Sequence, residues 1–333
     1  MSTGTTAVSL PSKSNATAGE TPELSVVIPV YNEEESVAPL YASLEAALSG
    51  SGLDYEVILI DDGSTDHTFQ KLTAIHNLDS RYKVALFRRN FGQTAAMAAG
   101  FDLSRGKIVV TMDADLQNDP QDIPQLLEKM AEGYDIVSGW RKKRRDKFLS
   151  RRLPSIAANW LISRVSGVSL HDYGCTLKAY SRAVIDNVSL YGELHRFIPA
   201  LASSYGVRVA ELPVNHHARR FGKSKYGLSR TIRVFLDLIT VKFLLSYSTK
   251  PLQIFGLAGV ISAGLGFFLG VFLSYQRLFL GIALSSRPLL LLAILLIFVG
   301  VQFISMGLLG EMIARTYHET QNKPIYALRD YLN

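Results

Sequence analysis

The chain has 333 residues, 48% of them hydrophobic and 19% charged, with a net charge of +6 and a mean hydropathy of +0.15. That is too apolar for an average soluble enzyme and too charged for a bare membrane bundle, and it excludes disorder, collagen and coiled coil as descriptions of the whole. A single cysteine, Cys175, forms no intramolecular disulfide and leaves no thiol pair for a zinc or redox motif, and the histidines show no metal-ligand spacing.

Residues 1–22 are rich in Ser, Thr, Ala and Gly, without the apolar run of a signal peptide, and read as a disordered tail. From residue 24 onward, short apolar runs bounded by turn residues alternate with helix-length stretches. Runs 24–30, 56–60, 84–87, 107–112 and 135–137 read as strands. This alternation predicts an α/β domain over 23–227 with a mostly parallel, Rossmann-like sheet, whose ligands sit beyond the carboxyl ends of the strands. Chemistry-bearing residues follow those ends, as Pro29-Val30-Tyr31-Asn32-Glu33, Asp61-Asp62-Gly63-Ser64-Thr65-Asp66 and Asp113-Ala114-Asp115-Leu116-Gln117.

The rest of the chain differs in kind. Positions 228–250 place Ile232, Phe235, Leu236, Ile239 and Phe243 at helical spacing, with Arg230, Arg233 and Asp237 on another face. That is an amphipathic juxtamembrane helix, lying at the membrane interface or packed on the globular domain. A weaker one covers 153–161. Within 251–310 only Arg277 and Arg287 are charged, and the uncharged runs 251–276 and 288–310 hold 26 and 23 residues. Each exceeds the roughly 20 apolar residues that span a bilayer, so two transmembrane helices are expected over 251–311, followed by a tail over 312–333. An even number of spans keeps both flanks on one side. The Lys/Arg excess ahead of the first span makes that side cytoplasmic, which predicts a multi-pass inner-membrane protein. Gly256, Gly259, Ala263, Gly266 and Gly270 line one face of the first span, where the second span or another protomer could pack, making a homo-oligomer.

Two aspartates at i and i+2 after an apolar strand supply hard oxygen ligands, suited to Mg²⁺ or Mn²⁺ held against a diphosphate. Asp113 and Asp115 do so here, with Gln117 beside them and a second acidic strand end at Asp61-Asp62. Six cations fall within 141–147. A solvated loop, a nucleic-acid patch and a lipid-headgroup contact all suit such a run, and the neighbouring apolar runs favour lipid over nucleic acid.

With these segments the chain resembles glycosyltransferase family 2, the inverting nucleotide-sugar enzymes of GT-A fold. The resemblance continues through Ser138-Gly139-Trp140-Arg141, His171-Asp172-Tyr173-Gly174-Cys175, Arg196-Phe197-Ile198-Pro199, Gly222-Lys223-Ser224-Lys225-Tyr226 and Gly307-Leu308-Leu309-Gly310-Glu311. It is to the polyprenyl-phosphate branch, which includes bactoprenol glucosyltransferases, undecaprenyl-phosphate aminoarabinose transferases and dolichol-phosphate mannose synthase. The resemblance implies a nucleoside pocket at Pro29, Tyr31, Glu33, Asp61 or Asp62, with Asp113 beside it. It implies a metal and diphosphate site at Asp113, Asp115 and Gln117, and catalytic carboxylates at Asp172 and Asp115. Acceptor-phosphate cations would be Arg141, Arg151 or Arg152, and Arg219, Arg220, Lys223 or Lys225. The donor implied is a UDP-sugar, with UDP-glucose expected and UDP-4-deoxy-4-formamido-arabinose, UDP-N-acetylglucosamine or GDP-mannose as alternatives. The acceptor implied is undecaprenyl phosphate. A processive polysaccharide synthase is disfavoured because no Gln here precedes x-x-Arg-Trp. A non-catalytic membrane scaffold would have no need of Asp115 and Asp172 together. Cys175 and His195 read as core residues, His195 alternatively as an acceptor contact.

Overall fold

The computed structural model describes residues 21–142, most of 159–221, isolated positions between 240 and 316, and 325–333. Met1–Asp237 with Pro324–Asn333 form one compact unit, and Leu238–Lys323 a second. The two apolar runs, the amphipathic stretches 228–250 and 153–161, and the small-residue face of the first run lie outside the described residues or touch them only at isolated positions. Among the described residues no helix is long and apolar enough to cross a membrane.

The first unit is built on a sheet of eight strands. β1 (Leu24–Val30), β2 (Tyr55–Asp61), β3 (Tyr82–Phe87), β4 (Ile108–Thr111) and β5 (Ile136–Trp140) fall where the apolar runs predict them. β6 (Lys178–Ser181), β7 (Val209–Pro213) and β8 (Leu328–Leu332) were not foreseen. The strands lie in the order β7-β5-β6-β4-β1-β2-β3-β8. β1, β2, β3 and β4 run parallel, as do β5 and β7, whereas β6 is antiparallel to both its neighbours and β8 is antiparallel to β3.

Helices α1 (Val37–Leu48), α2 (Thr68–Leu78), α3 (Gln93–Leu103) and α4 (Ile123–Ala131) connect the strands, and their buried residues complete two cores on opposite faces of the sheet. Two short helices, α5 (Arg182–Asn187) and α6 (Ile198–Ala202), follow β6. Strands covered on both faces need apolar residues at every position. β1 and β2 come close, with only Pro29 of the fourteen less than fully buried and with Ser25, Glu56 and Asp61 as their buried polar exceptions.

Pro29 also marks where the sheet opens. A proline inside a central strand removes a ladder hydrogen bond. Val27 O accepts from Met112 N toward β4, and Pro29, two residues on, faces the same edge. The register of β1 with β4 ends at Val27↔Thr111, so the missing donor costs no ladder bond. From β1 the chain proceeds outward to β2 and β3, then crosses back to β4 on the other side. That reversal makes a crevice at the carboxyl ends of β1 and β4.

Candidate active site

The crevice gathers the acidic segments. Beyond β4, Asp113 accepts hydrogen bonds from Gln93 Nε2 on Oδ1 and Thr176 Oγ1 on Oδ2, both at 2.7 Å. Asn118 Oδ1 accepts from Asp113 N at 3.1 Å and lies 3.0 Å from Thr176 Oγ1. Burial, followed by the charge of Asp115, pushes Asp113 up to about 6. The turn after it closes when Gln117 N donates to Asp115 Oδ1 at 3.1 Å, with Leu116 between them at φ 60°.

Beyond β1, the Asn32–Glu33 turn is tied to the loop after β2. Asn32 N donates to Ser64 Oγ at 2.9 Å, Thr65 N to Asn32 Oδ1 at 2.8 Å, and Glu33 N to Thr68 Oγ1 at 2.9 Å. Gly63 sits at φ 71°, and a Cβ there would lie 2.5 Å from the Arg89 carbonyl carbon, so only glycine fits. The two aspartates ahead of it differ in role. Asp62 clamps the start of α3, accepting from Phe91 N at 2.6 Å and Gly92 N at 2.9 Å. Asp61 accepts from Ser64 N at 2.8 Å, but its buried Oδ2 finds no partner among the described residues. Burial raises both carboxyls. Pro29, Tyr31 and Glu33 line the same strand end, partly buried.

Two arginines complete the picture, and the pairing of neither is visible in the sequence. The segment after β7 is laid along the loop that follows β4. Asn118 and His216 form an antiparallel bridge, His217 N donates to Gln117 O at 2.9 Å, and Asp122 binds the Asn215 amide groups at 2.7 and 2.8 Å. This delivers Arg219 into the crevice, with Nη2 2.5 Å from Asp115 Oδ2 and Nη1 3.7 Å from Glu33 Oε1. Arg219, expected beside the acceptor phosphate, here lies against Asp115 and Glu33. Arg220 is exposed; Arg151, Arg152, Lys223 and Lys225 lie outside the described residues.

Arg141, just beyond β5, meets Asp172 side-on, Nε to Oδ2 at 2.7 Å and Nη2 to Oδ1 at 2.9 Å. Gly174 N also donates to Oδ1, at 3.2 Å, and a Cβ on Gly174 would lie 3.2 Å from Arg141 Nη2. Burial works against the Arg141 charge, but the Asp172 hydrogen bonds and charge outweigh it and raise the guanidinium above its ordinary value. The turn is shaped from behind by buried Lys178, which donates to the carbonyls of Tyr173 and Cys175; burial lowers its ammonium to about 8. Cys175 is buried and its thiol is pushed up to about 11, an inert packing residue as expected. His195 is likewise buried, its Nδ1 2.7 Å from Thr94 Oγ1.

Gln93, Asn118, Thr176, Lys178 and Glu211 were all missed as site residues. Asn118 directly follows Gln117 and carried a local signal; the others reach the crevice only through the fold.

Residues 25–189 match the family described as glycosyl transferase family 2. Over 313 residues, 92% of each chain, the sequence is 45% identical to dodecaprenyl-phosphate galacturonate synthase of Rhizobium johnstonii. The chain belongs to glycosyl transferase family 2. It is also 42% identical to undecaprenyl-phosphate 4-deoxy-4-formamido-L-arabinose transferase of Edwardsiella ictaluri, over 92% of this chain and 93% of that one. Its kinship is therefore with the polyprenyl-phosphate glycosyltransferases, and it is a glycosyltransferase. Among solved structures it is similar to glucosyl-3-phosphoglycerate synthase from Mycobacterium tuberculosis, in complex with Mn²⁺ and UDP-glucose. That likeness has a TM-score of 0.53 at 19% identity, over 67% of this chain and 79% of that one. It bears on the fold alone, and agrees with the expected GT-A architecture.

Proposed function

We propose that this glycosyltransferase moves a sugar from a UDP-sugar to a polyprenyl phosphate at the cytoplasmic face of a membrane, with galacturonate as the sugar and formamido-arabinose as the alternative. The relatives' names favour these sugars over the glucose expected from the sequence. The reading is carried by one observation: Asp113 feels the charges of both Asp115, which Arg219 pairs, and Arg141, which pairs Asp172, and it is tied to the Asp172 side through Thr176.

The acidic pair fits a divalent ion by its donor set. Among the described residues no three His, Cys, Asp or Glu side chains cluster as a self-sufficient metal cage. Two carboxylates with Gln117 suit an Mg²⁺ or Mn²⁺ that takes its remaining ligands from a substrate diphosphate and water. Bound there, the ion would neutralise charge developing on the leaving diphosphate. Asp61, with a buried oxygen unpartnered among the described residues, faces the nucleoside side together with Pro29, Tyr31 and Glu33.

The acceptor phosphate has a second pKa near 6 and is largely dianionic at neutral pH. It needs orientation more than deprotonation, and Arg141 supplies a guanidinium already aimed by Asp172. On this reading Asp172 aligns the acceptor and takes any remaining proton. Arg151 or Arg152, Arg220, Lys223 and Lys225 add cations that offset the repulsion between two anionic substrates. The apolar runs 251–276 and 288–310 anchor the enzyme where its lipid acceptor resides.

Transfer of label into an organic-extractable lipid tests this. The purified protein is given undecaprenyl phosphate, Mn²⁺ or chelator, and UDP-galacturonate, UDP-4-deoxy-4-formamido-L-arabinose or UDP-glucose. Metal-dependent lipid label from UDP-galacturonate, abolished in Asp115→Asn, is the expected result. Label from UDP-glucose alone would overturn the sugar, and transfer by Asp115→Asn at the wild-type rate would overturn the site.

A further inference from the structure

Asp172 is set in place by a second carboxylate that no motif marks. Glu211 lies in β7, where the parallel register with β5 pairs it with Ser138 and brings Pro213 beside Trp140. Its side chain is 11% exposed and, among the described residues, its hydrogen-bond partners are the two consecutive residues His171 and Asp172. His171 N donates to Oε1 at 2.9 Å and to Oε2 at 3.1 Å, Asp172 N to Oε1 at 3.0 Å, and His171 Nδ1 lies 2.7 Å from Oε2. The imidazole is also held flat against the Trp140 indole, with centroids 4.3 Å apart and planes 18° from parallel.

We infer that Glu211 is a positioning residue for sugar transfer: by gathering the His171 and Asp172 amides it fixes the turn whose carboxylate aims Arg141 at the acceptor. This rests on the acceptor-side reading of Asp172 proposed above. The physical case is that a nearly buried carboxylate is costly unless hydrogen-bonded, and here the compensating partners are the two amides at the head of the Asp172 turn together with the His171 imidazole. The turn's other amide ties are longer, with Gly174 N 3.2 Å from Asp172 Oδ1 and Cys175 N 3.4 Å from Asp172 O, while its carbonyls are held separately, by Asn159 Nδ2 on His171 O at 2.6 Å and by Lys178 on Tyr173 O and Cys175 O. Glu211 therefore touches no substrate and acts through Asp172 and Arg141.

The test uses the full chain in detergent, the donor that turns over, and undecaprenyl phosphate, with UDP binding measured separately by calorimetry. Glu211→Ala should lower kcat by about 10- to 100-fold, the scale of a catalytic group displaced by about an ångström, while KM for the UDP-sugar and the UDP Kd stay within about twofold. Glu211→Gln keeps an oxygen for the two amides and should recover most of kcat. His171→Ala keeps the backbone amides and should stay within about threefold of wild type. If Glu211→Ala does not fold, Glu211→Asp, one methylene short, should show an intermediate loss of kcat at unchanged UDP affinity. The inference is overturned if Glu211→Ala turns over normally, if Glu211→Gln is as impaired as Glu211→Ala, or if His171→Ala is. Asp172→Asn separates the two readings. An inert Asp172→Asn beside a normal Glu211→Ala removes only the role of Glu211, whereas Asp172→Asn at full rate removes the acceptor-side reading itself.

Discussion

At the scale of single residues, the most consequential contact is the one between Arg219 and Asp115. The guanidinium lies 2.5 Å from the same Oδ2 that a divalent ion would need, and its other nitrogen reaches toward Glu33. Two cations on one carboxylate repel, so metal entering the nucleotide-free protein must first displace Arg219. A diphosphate arriving with the metal offers the guanidinium a better partner, since Arg binds phosphate oxygens in a bidentate manner. Arg219→Gln should therefore bind Mn²⁺ more tightly than wild type when no nucleotide is present. Breaking a charge-assisted hydrogen bond costs about 1.5 kcal/mol, so the gain should be on the order of tenfold. Titration of free Mn²⁺ by electron paramagnetic resonance reads this directly. Equal or weaker binding by the variant would mean that the arginine does not compete. The pairing is not legible in the sequence, because the two residues are 104 positions apart and meet only where the segment after β7 is stitched along the loop after β4.

At the scale of elements, β8 is the clearest departure from what the sequence announces. Residues 312–333 read as a tail, yet Leu328–Leu332 pairs with β3 and closes that edge of the sheet. Tyr326 stacks on Phe87 at 5.2 Å and donates to Asp102 Oδ2 at 3.0 Å, and Arg88 Nε donates to Leu328 O at 3.3 Å. Removing residues 325–333 would expose a fully buried strand edge and one face of Phe87. Losing the buried Tyr326 side chain alone costs about 3 kcal/mol, and an open apolar edge recruits other chains. The truncated protein should melt several degrees lower and aggregate on heating in thermal scans with light scattering; an unchanged profile would show that β8 adds no stability. Strands β1 to β5 were legible because each is an apolar run between turn residues, the signature of a strand covered on both faces. β6, β7 and β8 carry no such run. β6 begins with Lys178, whose charge is absorbed by two carbonyls, β7 is only partly buried at an edge, and β8 contains Arg329 and Asp330, both exposed. Their strand character comes from the partner each one finds. The site divides in the same way: acidic groups that follow apolar strands announce themselves, whereas the arginines and Glu211 that organise them depend on contacts between distant segments.

At the scale of the whole molecule, β8 constrains how the chain can cross a membrane. The chain leaves the first unit after residue 237 and is back in it by Pro324, and its last strand hydrogen-bonds to β3. Backbone hydrogen bonds cannot form across a bilayer, so whatever crossings occur between those points must be even in number. On the reading proposed above, the two uncharged runs, 26 and 23 residues long, would satisfy this with one crossing each, and the Lys/Arg excess before them would set the catalytic unit in the cytoplasm. The short link between the runs, with Arg277 and Arg287, then faces the opposite side. Labelling with a membrane-impermeant maleimide distinguishes the alternatives, with little background from buried Cys175. In intact spheroplasts Ser285→Cys should label and Asn333→Cys should not, until the membrane is permeabilised. Labelling of Asn333→Cys in intact spheroplasts would require either an odd number of crossings, incompatible with β8 in the sheet, or a catalytic unit facing outward, away from a cytoplasmic UDP-sugar. Silence at both positions until permeabilisation would mean that the apolar runs lie in the membrane without traversing it. In that case the lipid phosphate would have to reach Arg141 from the bilayer surface alone.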